Sequence, residues 1–246
     1  GHLKRLDAKP KPIGLIGAMA DLVPKPLLKE ITTLLNAPYF NTFGSTETGN
    51  PPASANLVAI GEAPSILSKK QNDFCEIRLV DPDDNDVPDG EPGELAIRGP
   101  SLFSGYWAND EANKEAFRNG WFHMGDVFRR TPDGLLDFVD RVKYMIKSGG
   151  ENIYPAEIEQ HIMADARIIE VAVVRKPDEK WGEVPVVFAA RNDETLAKDE
   201  VIDMCRGRIA NYKLPKEIHF IELDDLPRST SGKIQRHILE DRLKSL

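Results

Sequence analysis

The sequence predicts a mixed α/β and α+β architecture in three successive parts, and three distinct patterns along the chain predict it. Residues 13–43 run strand, helix, strand. Residues 51–139 hold short alternating strands parted by turn-rich segments. Beyond Asp140, helices and strands intermingle again.

The elements follow in order. The apolar run 12–19 reads as a buried strand. Residues 24–35 read as a helix with Leu27, Leu28, Ile31, Leu34 and Leu35 on one face. Residues 39–43 read as a second strand. Two parallel strands and one helix cannot cover both faces of a parallel sheet, so this part reads as the end of a larger α/β unit. Residues 75–80 and 94–98 alternate on either side of DPDDNDVPDGEPG, which predicts a hairpin with a long acidic loop. Residues 110–117 predict a short helix capped by Asn109 or Asp110. Thr131-Pro132-Asp133-Gly134 predicts a tight turn between strands 127–130 and 135–139.

In the last part Pro155 starts a helix carrying Ile158 and Ile162. Residues 168–174 and 184–190 read as strands. Val201, Met204, Cys205 and Ile209 fall at i, i+3, i+4 and i+8 and predict an amphipathic helix. A strand at 217–223 and a final helix at 235–243 complete the chain.

A chain of 246 residues has room for one large domain or two modest ones. The formal net charge of -8 argues against a nucleic-acid partner, which calls for a basic face. No run has the apolar length to span a bilayer. No apolar segment follows Lys4, Arg5, Lys9 and Lys11, so a signal peptide is not expected and a cytoplasmic location is. Cys75 and Cys205 are far apart and lack metal-ligand spacing, which predicts free thiols in a reducing compartment. Lys244-Ser245-Leu246 permutes a peroxisomal address, and the order is wrong for it.

Four segments carry chemistry. Phe43-Gly44-Ser45-Thr46-Glu47-Thr48-Gly49 follows a strand. There a glycine admits a ligand, hydroxyls bond phosphate oxygens and a carboxylate holds Mg²⁺, although Thr and Glu at such a place also make a helix cap. Trp121-Phe122-His123-Met124-Gly125-Asp126 offers a bidentate acceptor for vicinal ribose hydroxyls, or a plain turn aspartate, with His123 read as packed. The stretch 140–155, DRVKYMIKSGGENIYP, joins a charged strand exit, a glycine pair and a helix start at the change of composition, which reads as a hinge at 140–143. Leu226-Pro227-Arg228-Ser229-Thr230-Ser231-Gly232-Lys233-Ile234 puts a lysine on a loop able to reach phosphate or carboxylate oxygens. Its glycine spacing is not that of a Walker phosphate loop, and a solvated surface lysine is the alternative.

Taken together, these segments resemble the adenylate-forming superfamily: acyl- and aryl-CoA synthetases, luciferases and peptide-synthetase adenylation domains. The resemblance runs from about Pro12 to the end. It rests on GELAIRGPSLFSGYW, GWFHMGD, DRVKYMIKSGGENIYPAEIE and LPRSTSGKI, and the SGGENIYPAEIE wording is most like CoA ligases. It implies the C-terminal portion of an acyl-CoA synthetase that activates a carboxylic acid with ATP and Mg²⁺ and passes it to CoA. The implied layout is a remnant of the large α/β core (1–50), a β-rich barrel-like subdomain (51–140), a hinge (141–143) and a small mobile α+β domain (144–246).

The resemblance also implies residue roles. Phe43 stands where an aromatic ring, usually Tyr, packs on adenine, beside Gly44. Thr46 bonds the α-phosphate and Glu47 holds Mg²⁺. Gly17 and Ala18 match part of a Gly-Gly-Ala-Pro turn near the nucleotide, from which Ile16 and Met19 depart. Asp126 binds the ribose hydroxyls and Arg141 adds a second ribose contact. Lys143 falls at the hinge position. Lys147, Gly149 and Gly150 serve the second half-reaction and the pantetheine arm. Lys233 bridges the acid and the α-phosphate during adenylation.

The family's own phosphate loop is absent from residues 1–16, as is most of an acid pocket. The chain alone is therefore expected to bind nucleotide poorly and not to adenylate. It is also expected to expose apolar surface around Leu15, Leu27 and Phe40, a surface for self-association. Two other readings stay open: an adenylation domain of another adenylate-forming enzyme, and a half-enzyme kept as a non-catalytic binding module.

Overall fold

Apolar strands bounded by glycine and proline set the frame, and the computed structural model describes residues 11, 13–18, 21, 23, 25–230 and 232–244. These divide into two compact units that part between Phe138 and Val139.

In the first unit, β1 (Ile16–Ala18) and β2 (Tyr39–Phe43) pair in parallel, joined by helix α1 (Lys25–Leu35). β3 (Ala53–Val58) and β4 (Lys70–Gln71) extend this sheet antiparallel, in the order β1-β2-β3-β4. Pro12, Met19 and Pro24, at the expected ends of the first strand and helix, lie outside the described residues. Leu28 packs on Tyr39, Ile16 and Val58, while Leu27 is 50 % exposed and Ile31 lies open beside it. The sheet thus covers only part of the apolar face expected of α1. Leu15 is likewise exposed and Phe40 is half-buried.

A second sheet has the order β5 (Glu76–Val80), β6 (Pro92–Arg98), β7 (Phe122–Arg130), β8 (Leu136–Arg141). The acidic hairpin forms as its alternation predicts, with Glu76 opposite Arg98 and their side chains 2.6 Å apart. Helix α2 (Asp110–Ala116) is capped by Asn109, whose side chain accepts from Ala112 N at 3.2 Å. One bridge, Lys69 to Leu136, joins the two sheets edge to edge, and among the described residues they form no closed barrel. They share a core of Phe43, Ala53, Leu79, Leu95, Phe128 and Leu136. The barrel-like form expected for 51–140 is thus an open pair of sheets.

Buried polar groups brace this unit. Lys69 is wholly buried and pairs with Asp21, and Asn41 ties Tyr39 Oη (2.9 Å) to the Leu67 carbonyl (3.0 Å). Burial pushes the Asp21 carboxyl up and the Lys69 ammonium down, against the attraction between them.

The second unit wraps one five-stranded sheet: β9 (Ile146–Ser148), β10 (Glu151–Ile153), β11 (Ile168–Asp178), β12 (Gly182–Arg191) and β13 (Glu217–Phe220). β11 and β12 pair antiparallel over ten positions. Their near-continuous apolar runs follow from burial on both faces. Val171, Val173, Val187 and Ala189 pack on Ile158 and Ile162 of helix α3 (Pro155–Ile162). Ala172, Val174, Val186 and Phe188 face Leu239 and Leu243 of the last helix, α5 (Arg236–Leu243).

The amphipathic helix expected over 201–209 is shorter. Helix α4 spans Lys198–Asp203, and Gly207 at φ 74 turns the chain. Val201 of α4 still shares one core with Cys205 and Ile209, which turns deliver where a longer helix was expected to. No described helix is long and apolar enough to cross a membrane.

Candidate functional site

β1 and β2 run parallel, and the turn 44–49 leaves the carboxyl end of β2, where ligands of parallel sheets commonly bind. On the neighbouring strand, Gly17 and Ala18 pair with Phe40 and Asn41, ahead of that end. Thr48 fixes the turn: its Oγ1 accepts from Ser45 N (3.1 Å) and donates to the Ser45 carbonyl (3.0 Å). Gly44 admits this closure, since a Cβ there would stand 3.2 Å from Thr48 Oγ1. The turn leaves Thr46 exposed and Glu47 half-buried.

The stacking role expected of Phe43 meets a closed ring. Phe43 is 2 % exposed and edge-on to Phe128, centroids 4.6 Å apart, within the core of both sheets. It supports the turn from beneath and presents no face to a base in this structure.

The loop 99–109 is laced onto the turn. Phe103 N donates to the Glu47 carbonyl at 2.9 Å, and Tyr106 Oη donates to Glu47 Oε1 at 3.2 Å. Burial and the Glu47 charge push the Tyr106 phenol above its ordinary pKa. Tyr106 lies in the quoted motif GELAIRGPSLFSGYW, yet no residue of that motif received a role from sequence. Only the loop's approach to Glu47 singles it out.

Asp126 is buried on β7, one residue after Gly125 at φ +73. Gly125 N donates to Glu94 Oε1 at 3.1 Å, and His123 Nδ1 lies 3.2 Å from Glu94 Oε2, which also takes Arg118. Burial alone would raise the Glu94 carboxyl. His123 and Arg118 outweigh it and hold the group below its usual range. Glu94 stands beside a register shift between β6 and β7. It therefore sets the strand that carries Asp126, and it too was passed over by the sequence reading.

The other candidates lie in the second unit. Arg141 ends β8, and its N–H donates to Asp140 Oδ1 at 2.7 Å. Lys143 sits in the single turn Val142–Tyr144, its ammonium 4.9 Å over the Tyr144 ring. Lys147, Gly149 and Gly150 form the β9–β10 hairpin, with both glycines at positive φ. Lys147 N donates to Glu183 Oε2 at 2.9 Å, and Gly149 lies against the Trp181 ring. Lys233 is exposed on a short closed loop. Its carbonyl accepts from Ser229 N at 2.8 Å, and Arg228, paired with Glu170, donates to the Gly232 carbonyl at 3.0 Å. Ser231 of that loop lies outside the described residues. The structure thus gathers Phe43, Gly44, Thr46 and Glu47 at one sheet end, with Gly17 on the adjacent parallel strand. Asp126 stands on a separate sheet of the same unit, and Arg141 through Lys233 belong to the other unit.

A family model described as AMP-binding enzyme matches residues 6–107, and one described as AMP-binding enzyme C-terminal domain matches residues 157–233. An indoleacetate–CoA ligase of Aromatoleum aromaticum is 39 % identical over 223 residues, covering 90 % of this chain and 43 % of its own length. The o-succinylbenzoate CoA synthetase of Bacillus subtilis, solved with its acyl-adenylate intermediate, superposes with a TM-score of 0.78 at 30 % identity, over 98 % of this chain and 49 % of that one. The same synthetase solved with ATP and magnesium ion gives a TM-score of 0.76 over 97 % of this chain and 50 % of that one. This chain spans less than half the length of the curated relatives it matches. With a family match in each of its two units and a CoA-ligase fold over nearly all its length, the chain belongs to the AMP-binding enzyme family.

Proposed function

We propose that this chain is part of an AMP-forming acid–CoA ligase. The observation that carries the reading is the arrangement of cation and acceptors. Thr46-Glu47 and Asp126 occupy one unit, while Lys233 stands exposed on a tied loop of a second, separately packed unit. A two-step ligase needs such a division, because its two half-reactions call for different groups at one place.

In the first step a carboxylate oxygen attacks the α-phosphorus of ATP. The P–O bond to pyrophosphate breaks, and an acyl-adenylate forms. Negative oxygens crowd together, so fixed donors and cations are required. Thr46 donates its hydroxyl to the α-phosphate, Asp126 accepts from the ribose hydroxyls, and Arg141 adds a second ribose contact. Lys233 bridges the acid and the α-phosphate. At about 4 Å and an effective dielectric near 20, one ammonium contributes roughly 4 kcal/mol toward an oxyanion. Glu47 suits Mg²⁺, as a half-buried hard carboxylate on the turn that carries Thr46, and one or two carboxylates with phosphate oxygens are that ion's usual protein-side donors. When bound, the ion supplies charge neutralisation at the phosphates.

In the second step the CoA thiol attacks the acyl carbonyl, and AMP leaves. Lys147, Gly149 and Gly150 serve this step after residues 144–246 turn about Lys143. Gly17, Ala18 and Gly44 give backbone access to the nucleotide, and Phe43 holds the turn from below. The remaining phosphate loop and the acid pocket come from a preceding segment of the full-length ligase. The test is ATP–pyrophosphate exchange by the full-length protein across a panel of carboxylic acids, followed by CoA-dependent AMP release. Exchange stimulated by an acid supports the reading. Tight AMP or CoA binding with no exchange for any acid contradicts it and favours a binding module.

A further inference from the structure

Tyr106 has no role in the chemistry above, yet its phenol reaches Glu47 across 59 residues of chain. We infer that Tyr106 is a positioning residue for Glu47: the loop 99–109 brings a neutral hydroxyl to the turn and aims the carboxylate for its metal. The inference rests on the reading of Glu47 as the magnesium ligand.

The loop is built to hold this one side chain in place. Asn113 of α2 clasps the Tyr106 backbone from both sides, its Oδ1 accepting from Tyr106 N at 2.6 Å and its Nδ2 donating to the Tyr106 carbonyl at 2.9 Å. The clasp needs Gly105, at φ +135, where a Cβ would stand 2.9 Å from Asn113 Oδ1. Phe103 ties the loop twice, through its N–H to the Glu47 carbonyl and through its ring to Tyr106, Phe117 and Phe122 at 4.9–5.3 Å. Gly49 closes the other end, with Ser101 O only 2.7 Å from its ideal Cβ position.

The chemistry of the donor fits the task. A glutamate has several free torsions, and ordering it costs entropy whenever a ligand must do so. A lysine or arginine at 106 would fix it too, but would cancel the charge a cation needs. A phenol donates one hydrogen bond and leaves the carboxylate's negative charge intact.

The experiment uses the full-length protein with Mn²⁺ as the probe. Mn²⁺ binding to the protein–ATP complex is measured by electron paramagnetic resonance with no acid present, so nothing turns over. The apparent Mg²⁺ constant for acid-dependent pyrophosphate exchange is measured beside it. Tyr106→Phe is expected to weaken Mn²⁺ binding about 5-fold, the worth of one ordinary hydrogen bond of about 1 kcal/mol. The exchange rate at saturating Mg²⁺ is expected to return to within about 2-fold, which a general loss of structure would not allow. Glu47→Gln should weaken Mn²⁺ further, and the double variant should match Glu47→Gln alone. Gly105→Ala, which moves the loop but keeps the phenol, should reproduce the Tyr106→Phe loss. If Glu47→Gln weakens the metal and Tyr106→Phe does not, the positioning role is overturned while the Glu47 reading stands. If the losses simply add, Tyr106 acts elsewhere. If Glu47→Gln leaves Mn²⁺ binding at the wild-type value, the metal reading of Glu47 fails and this inference fails with it.

Discussion

Asp140→Asn should change how the stability of the second unit depends on pH. Asp140 is 2 % exposed. Its Oδ1 accepts from Arg141 N at 2.7 Å, and its Oδ2 accepts from Ala156 N at 2.8 Å, at the start of α3. Burial pushes its pKa from 3.8 to about 6, and the nearby Glu159 adds to this. The two backbone N–H groups and Arg236 oppose it. A folded pKa above the unfolded one means that the folded state binds the proton more tightly. The contribution is therefore fully present below pH 3.8 and is lost as pH rises through about 6. The shift corresponds to about 3 kcal/mol at 1.36 kcal/mol per pH unit. Asparagine does not titrate, so the cost of its altered hydrogen bonds stays constant with pH. Urea unfolding of the whole chain, followed through Trp181 in a Trp107→Phe/Trp121→Phe background, reports the second unit. The stability of the parent relative to Asp140→Asn should fall by about 2.4 kcal/mol between pH 4 and pH 7. A difference that is flat, or that grows with pH, would refute the reasoning. It would mean that the start of α3 holds Asp140 ionised despite its burial.

Two further perturbations follow from the hairpin and the linker. Gly149→Ala forces a Cβ to 2.8 Å from the Trp181 ring at a φ of +60. It should cost about 1–3 kcal/mol in the second unit and shift Trp181 emission, and an unmoved spectrum with unchanged stability contradicts the contact. Lys143→Pro in the full-length protein should slow thioester formation from a pre-made acyl-adenylate while sparing adenylation. A wild-type thioester rate removes the hinge from Lys143.

Much of the fold was legible because periodicity reports burial. Residues 39–43 and the hairpin strands matched their elements closely, and the apolar runs of β11 and β12 reflect cover on both faces. Other features were not legible, because tertiary context decided them. α4 ends at Asp203, short of Cys205 and Ile209, yet both stay in the core, so the apolar spacing was right and the helix was not. Phe43 sits where a family motif places an adenine-facing ring, but only the structure shows its edge locked against Phe128. Glu94 and Tyr106 act through partners about thirty and sixty residues away, and no local pattern encodes such a contact. The division between Phe138 and Val139 falls just ahead of the linker expected from the change in composition, inside β8 itself.

In the proposed mechanism, Lys233 supplies the adenylation charge from its own unit. The direct measurement is Lys233→Ala in the full-length protein, with the two half-reactions timed separately. Acyl-adenylate formation should slow about 10²–10³-fold, the usual loss for one positioned donor, while thioester formation from a pre-made acyl-adenylate stays near the parent rate. Equal losses in both steps, or no loss in the first, would contradict the account.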